Sequence, residues 1–174
     1  MNDILNDCVY RLRAPEPEDL EVLYTMENDT TLWFVSYNVA PYSRYQLKKY
    51  ISESVHDIYS DHQIRFMIER ISDGLVLGCI DLTELDSIHC RAQVGVVVLS
   101  EYRKNGVAMA ALQILCRYVD SFLHLHQLYG FVPMDNADSL NLFINSGFEK
   151  TSILKEWLLR GKTYVDVCVV QKFF

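Results

Sequence analysis

The sequence predicts an α+β domain, layered as in α/β folds, on one mixed and mostly antiparallel central sheet flanked by helices. Three observations predict it. The chain has 174 residues, half of them hydrophobic and 22% charged. That composition is globular, the length fits one domain (1–174), and a chain this long can bury one sizeable core. Three strand patterns follow one another through short loops between residues 64 and 99. Strands and helices then alternate from residue 94 to 148 before a last strand pair. The order β-α-α-β-β-β-α-β-α-β-β puts all strands on one sheet.

Each element has a local cause. Residues 9–13 alternate apolar and polar, a first strand. Pro15-Glu16-Pro17-Glu18-Asp19 opens a helix reaching about Asn28, because proline and acids suit a helix N-terminus. Residues 31–42 carry Trp33, Phe34, Tyr37 and Tyr42 and read as a loop. Ser43 is placed to cap a helix running through Ile51, Val55 and Ile58. Ser72-Asp73-Gly74 turns a hairpin between residues 64–71 and 75–85. Residues 92–99, with four valines, form a third strand. A polar turn over 100–106 leads into an amphipathic helix over 107–123, with Ala108, Ala111, Leu112, Leu115, Tyr118, Val119 and Phe122 at helical spacing. A strand over 128–132 ends at Pro133. Asn136 caps a short helix stopped at Ser146-Gly147. Residues 148–157 and 164–173 pair through a turn at Arg160-Gly161-Lys162.

Composition narrows the function. No apolar run reaches the roughly 18 residues a membrane helix needs, and residues 1–7 do not read as a secretory signal. The expectation is a cytoplasmic protein without a membrane partner. Sixteen basic against 23 acidic residues, net −7, argue against nucleic acid, whose phosphates need clustered Lys and Arg. A cationic substrate is compatible with this charge. Five cysteines at wide spacings, with no C-x-x-C, give neither a disulfide framework nor a metal site. Cys79, Cys116 and Cys168 lie in apolar runs and read as small buried hydrophobes.

The chemistry concentrates in two segments. Arg103-Lys104-Asn105-Gly106-Val107-Ala108 joins a strand to a helix. Small residues at 106 and 108 let a ligand approach the backbone, and the unpaired N–H groups of the helix start favour an anion. A glycine turn before a core helix is the plain alternative. The second segment runs from Asn136 to Phe148, a capped helix with a glycine stop.

Together and in this order, the two segments resemble those of the GNAT family of acetyl-CoA-dependent N-acetyltransferases. The first is similar to the family's R/Q-x-x-G-x-G/A loop, with Ala108 in the last place, and the second to its N-x-x-S…G-F segment. The resemblance spans residues 9–174. It is closest to the spermidine/diamine acetyltransferases and, beyond them, the ribosomal-protein N-terminal acetyltransferases. The pointers are Trp33-Phe34 before Pro41-Tyr42, His89-Cys90-Arg91-Ala92, Ser100-Glu101-Tyr102 and Leu128-Tyr129.

The resemblance implies a GNAT-like fold and acetyl-CoA as co-substrate, with no metal. It implies that Val97, Val98 and Leu99 offer main-chain groups to the pantetheine arm. Residues Arg103, Lys104, Asn105, Gly106, Val107, Ala108 and Met109 would hold the pyrophosphate, and Asn136, Ser139 and Phe143 would also face the cofactor. The acceptor is a primary amine: a polyamine or diamine, or a protein N-terminus. Such an amine has a pKa near 10 and must lose a proton before it attacks. Asp81 and Glu84 are the candidates for catalytic base or amine anchor, with His89 a further one. Strand alternation puts 81 and 84 on opposite faces unless a bulge intervenes. A backbone N–H near Leu99 would stabilise the oxyanion.

Two departures matter. Many relatives carry a tyrosine acid on the short helix, where this chain has Phe143. Since general acid catalysis is worth roughly 10²–10⁴, its loss slows the reaction without forbidding it; a water, Tyr129 or Tyr164 could substitute. The other departure is Val35-Ser36-Tyr37-Asn38-Val39, which has no carboxylate where polyamine acetyltransferases have acids. Phe143 keeps open a second function, an acetyl-CoA-binding sensor or interaction domain with little turnover; a third, an aminoglycoside acetyltransferase, would want a wider and more acidic cleft than Asp81 and Glu84 alone supply. The aromatic segment 31–42 reads either as a cover on the acceptor site, bringing Trp33 and Tyr37 to the substrate, or as a partner surface implying a homo-oligomer.

Overall fold

The computed structural model describes residues 4–36, 38–53 and 58–174. Seven strands form one sheet in the order β1-β2-β3-β4-β5-β7-β6. They are β1 (Tyr10–Arg13), β2 (Ile64–Arg70), β3 (Leu75–Asp86), β4 (Arg91–Val98), β5 (Gln127–Pro133), β6 (Glu149–Arg160) and β7 (Thr163–Phe173). Every neighbouring pair is antiparallel except β4–β5, which is parallel.

Helices cover both faces. On one, α5 (Val107–Tyr118) and α6 (Ala137–Asn145) bury Ala111, Leu112, Leu115, Leu140 and Phe143 against Ile80, Leu82, Val94 and Leu128. On the other, α1 (Leu20–Glu27) and α3 (Arg44–Glu53) bury Leu23, Met26 and Leu47 against Met67, Val76 and Cys79. The entry to α1 is held by charge: Arg13 makes two bonds to the buried Asp19 carboxylate, at 2.7 and 2.9 Å. Burial pushes the Asp19 carboxyl up, but Arg13 and the Glu16 N–H outweigh it and hold Asp19 below its usual range.

The sequence reading needs two corrections. The segment expected to be a loop contains a helical turn, α2 (Trp33–Ser36). The helix expected through Ile51 and Ile58 is helical at both places, as α3 (Arg44–Glu53) and α4 (Ile58–Asp61); Val55 lies outside the described residues. The helix over 107–123 changes pitch at Val119 and finishes as a wider π turn, Val119–Leu123, ending in left-handed His124. The two helix faces differ: α5 is apolar and deeply packed, whereas α3 buries only Leu47 among its described residues. Cys79, Cys116 and Cys168 are buried as expected. Burial, reinforced by the Asp81 charge, pushes the Cys79 thiol up to about 12.

Candidate active site

The turn after β4 builds an anion cradle. Gly106 is the N-cap of α5 at φ +80°, and Lys104 is also left-handed at φ +64°. A Cβ at 106 would meet nothing within 4 Å, so the space above the turn is open. The helical ladder starts when Ala110 N donates to Gly106 O at 3.0 Å. Val107, Ala108 and Met109 therefore present N–H groups with no helical acceptor, at the positive end of the helix dipole. Arg103 folds back and donates to Val98 O at 2.9 Å. Lys104 and Asn105 are exposed, and Lys104 lies 3.5 Å from Asp138 on α6. This donor set fits a diphosphate.

Beside the cradle the sheet splits. β4 and β5 pair only at Arg91–Gln127, Ala92–Leu128 and Gln93–Tyr129. Beyond those rungs β4 keeps a regular register with β3 on its other side. A Cβ on Gly78 would stand 2.1 Å from Val97 O, and Leu99 N donates to Leu77 O at 2.9 Å. Val97 and Leu99 thus turn their backbones toward β3. By the period of two, Val94, Val96 and Val98 turn theirs toward the gap; the Val94 carbonyl indeed lies 3.5 Å from a Cβ built on Gly130 of β5. This corrects the expectation for Leu99, whose N–H is already bonded. The main-chain groups open to an extended ligand belong to Val96, flanked by Val94 and Val98.

On the α6 side, Asn136 caps the helix by accepting the Ser139 N–H at 3.1 Å. Phe143 is buried, stands edge-on to Phe148 at 5.0 Å, and brings its Cζ within 3.5 Å of a Cβ built on Gly130. Its ring fills the helix side of the point where the strands part.

The opposite face of the split is an open floor. Gly95, on the central strand β4, is exposed, and a Cβ there would meet nothing within 4 Å. Its partner on β3 is Asp81. The bulge that decides the place of Glu84 is present: the β3–β4 register shifts between Thr83 and Asp86, and Glu84 is left-handed at φ +50°. Leu82 and Leu85 both enter the α5-side core, which leaves Thr83 and Glu84 together on the other face. Asp81 and Glu84 therefore share a face, against strict alternation.

The two acids are not equivalent. Arg65 grips Asp81 with two bonds at 2.9 and 2.8 Å and also donates to Glu27. Glu84 is exposed. Tyr129 lies within the field of Glu84; burial first, then that charge, raise its phenol above the ordinary range. Tyr129 meets Phe131 edge-on at 5.7 Å, and Phe131 stacks on Trp157 of β6 at 6.5 Å. A cleft of about 520 Å³ lies between α1 and the end of β4, lined by Met26, Asp29, Leu32, Val97, Leu99 and Arg103 among others.

The remaining candidates lie as follows. Trp33 donates its indole N–H to Glu27 O at 2.9 Å, so it stands at the base of the aromatic segment. Tyr37 lies outside the described residues. His89 is exposed in the β3–β4 turn, where its N–H bonds Asp86 at 3.0 Å. Glu27, Arg65 and Gly95 escaped the sequence reading. Arg65 interrupts the apolar run from Ile64 to Ile68 and was the available signal; its pairing with Glu27, 38 positions away, has none. Among the described residues no group of acidic, histidine or cysteine side chains forms a metal site, and no helix is long and apolar enough to cross a membrane.

A strand split beside a helix-start cradle can take an extended ligand with an anionic end. The chain belongs to the GNAT acetyltransferases: residues 10–149 match the acetyltransferase (GNAT) domain. It is an acyltransferase. It is 26% identical over 168 residues to spermidine N(1)-acetyltransferase of Escherichia coli K12, covering 92% of this chain and 86% of that one. It is 27% identical over 161 residues to the Vibrio cholerae enzyme of the same name, covering 90% and 88%. The fold matches a V. cholerae spermidine N-acetyltransferase solved with CoA and spermine, with TM-score 0.85 over 96% of both chains at 22% identity. A dodecameric structure from V. cholerae matches with TM-score 0.80, at 25% identity over 96% of this chain and 95% of that one.

Proposed function

We propose that the protein transfers the acetyl group of acetyl-CoA to a primary amine of a polyamine by direct attack. The observation that carries this reading is the convergence of Asp81 and Glu84 on one open face beside the strand split. One guanidinium, Arg65, balances one of the two acids it touches, so the face keeps excess negative charge. A polyamine offers the complementary cations. The names of the relatives point to the same substrate class.

The co-substrate's diphosphate sits on the N–H groups of Val107, Ala108 and Met109, and its pantetheine arm runs along Val96 and Val98. Asn136 and Ser139 border the arm from α6. Glu84 accepts the ammonium proton, so the amine nitrogen can form its bond to the thioester carbon. The N–H group of Val96 faces the gap and suits the developing oxyanion. The C–S bond then breaks. A thiol of pKa about 8.5 leaves readily enough without a strong acid; the nitrogen gives up its second proton, and the Tyr129 phenol on this face can relay it to the thiolate. Phe143 keeps a packing role. We further propose self-association, supported by exposed Ile153, Trp157 and Leu159 on edge strand β6.

The test incubates the protein with acetyl-CoA and an equimolar mixture of spermidine, spermine, putrescine, N-terminal peptides and an aminoglycoside. Mass spectrometry then identifies what gains an acetyl group. Acetylated polyamine supports the reading. Acetylation confined to peptides or the aminoglycoside replaces the acceptor, and tight acetyl-CoA binding with no product replaces the enzyme by a sensor.

A further inference from the structure

Two consecutive residues at the end of α1 hold the whole aromatic segment. The Glu27 carbonyl accepts from the Trp33 indole at 2.9 Å and from the Asn38 amide at 3.3 Å. The same Asn38 amide donates to the Glu27 carboxylate at 3.2 Å. Asn28 exchanges two bonds with the Tyr42 backbone, at 2.9 and 3.0 Å, and donates a third to Tyr24 O at 2.9 Å. The described residues of 29–42 are thus tied at Trp33, Asn38 and Tyr42.

The other side of Glu27 reaches the sheet. Its second carboxylate oxygen accepts from Arg65, whose remaining donors grip Asp81. Asp81 lies across from Gly95, the open floor of the acceptor face. The three side chains keep only 16–21% of their exposure, so water and salt screen these bonds less than surface pairs. The segment itself walls the site: Leu32 lines the cleft and α2 contacts β6.

We infer that Glu27 is a positioning residue for the acceptor: through Arg65 and Asp81 it sets the distance between the aromatic segment and the floor at Gly95. Glu27 has no part in the proton transfers. Its effect is geometric, carried by Asn38 on one side and Arg65 on the other. The inference rests on the acceptor binding this face.

The test compares Glu27→Ala, Glu27→Gln and Asn38→Ala with the parent. Glutamine keeps an oxygen and an amide at the same place and is the conservative rescue. Misplacement of a binding wall by about an ångström is expected to raise the acceptor KM about tenfold in the two alanine variants, with kcat little changed. Glu27→Gln should recover most of that loss. Acetyl-CoA affinity by calorimetry should not move in any of them. Glu27→Ala and Asn38→Ala should also be non-additive in the double variant, because each cuts the same tie. A local signal comes from Trp33 fluorescence in a Trp157→Phe background, since the chain has two tryptophans; the emission should shift in Glu27→Ala. Unchanged KM and unchanged emission overturn the inference, as do equal losses of acceptor and acetyl-CoA binding. A parent protein inert on every amine overturns the functional reading instead, and Trp33 emission then decides the tie by itself.

Discussion

Gly106→Glu is the sharpest perturbation of the cradle, and its magnitude follows from two structural facts. The site is open, with nothing within 4 Å of a new Cβ, so added bulk meets no protein atom. The backbone is left-handed at φ +80°, so any side chain costs about 1–2 kcal/mol of strain. In a chain of this length that lowers Tm by only a few degrees per kcal/mol. The binding effect is larger. A carboxylate ~5 Å from a diphosphate carrying about two charges, at an effective dielectric constant of ~40, opposes it by about 3 kcal/mol. That is more than a hundredfold in affinity. Gly106→Ala carries the strain without the charge and separates the two terms. The assay is calorimetric titration with acetyl-CoA at low and moderate salt. The expected result is strong loss for glutamate, partly recovered by raising salt, and a small loss for alanine. Equal, unaltered affinity in all three folded proteins would refute the cradle.

Gly95→Leu should leave stability unchanged or raise it by up to about 1 kcal/mol, because glycine weakens a strand; the same side chain should obstruct the acceptor floor and raise the acceptor KM, which steady-state kinetics and thermal melts check together. Glu84→Gln should lower turnover at neutral pH by roughly 10²–10⁴, and the deficit should shrink as pH approaches the amine pKa near 10, with acetyl-CoA affinity unmoved. Asp19 is held below its usual range in the fold, so its contribution is present above the unfolded pKa near 3.9 and is lost as pH falls through the folded value. Asp19→Asn should therefore flatten the acid limb of a denaturation series; an unchanged limb would contradict the Arg13 pairing. Phe143→Tyr should speed turnover if its hydroxyl reaches the strand split, and leave it unchanged if the ring only packs.

The sequence carried most of the fold because its punctuation is local. Ser72-Asp73-Gly74, Gly106, Asn136 and Gly147 each mark a boundary through their own backbone preferences, and the strands and α5 and α6 between them follow. The cradle was legible for the same local reason. The acceptor face was not, since it depends on a bulge. No residue around Glu84 announces a left-handed backbone: a glutamate there is an ordinary strand residue by type. Likewise the Glu27–Arg65–Asp81 contacts join three elements that only the sheet order brings together. The main-chain donors shifted from Leu99 to Val96 because strand parity is set by the β3 register, which a sequence does not print.

The central claim is that this cleft catalyses acetyl transfer to a polyamine with Phe143 where relatives have a tyrosine. Release of free CoA thiol from acetyl-CoA, followed with spermidine and without any acceptor, tests it most directly. The account predicts saturable release with spermidine well above the background rate, abolished by Gly106→Glu and strongly reduced by Glu84→Gln. Thiol release no faster with spermidine than without it, from a folded protein that binds acetyl-CoA, would contradict the claim.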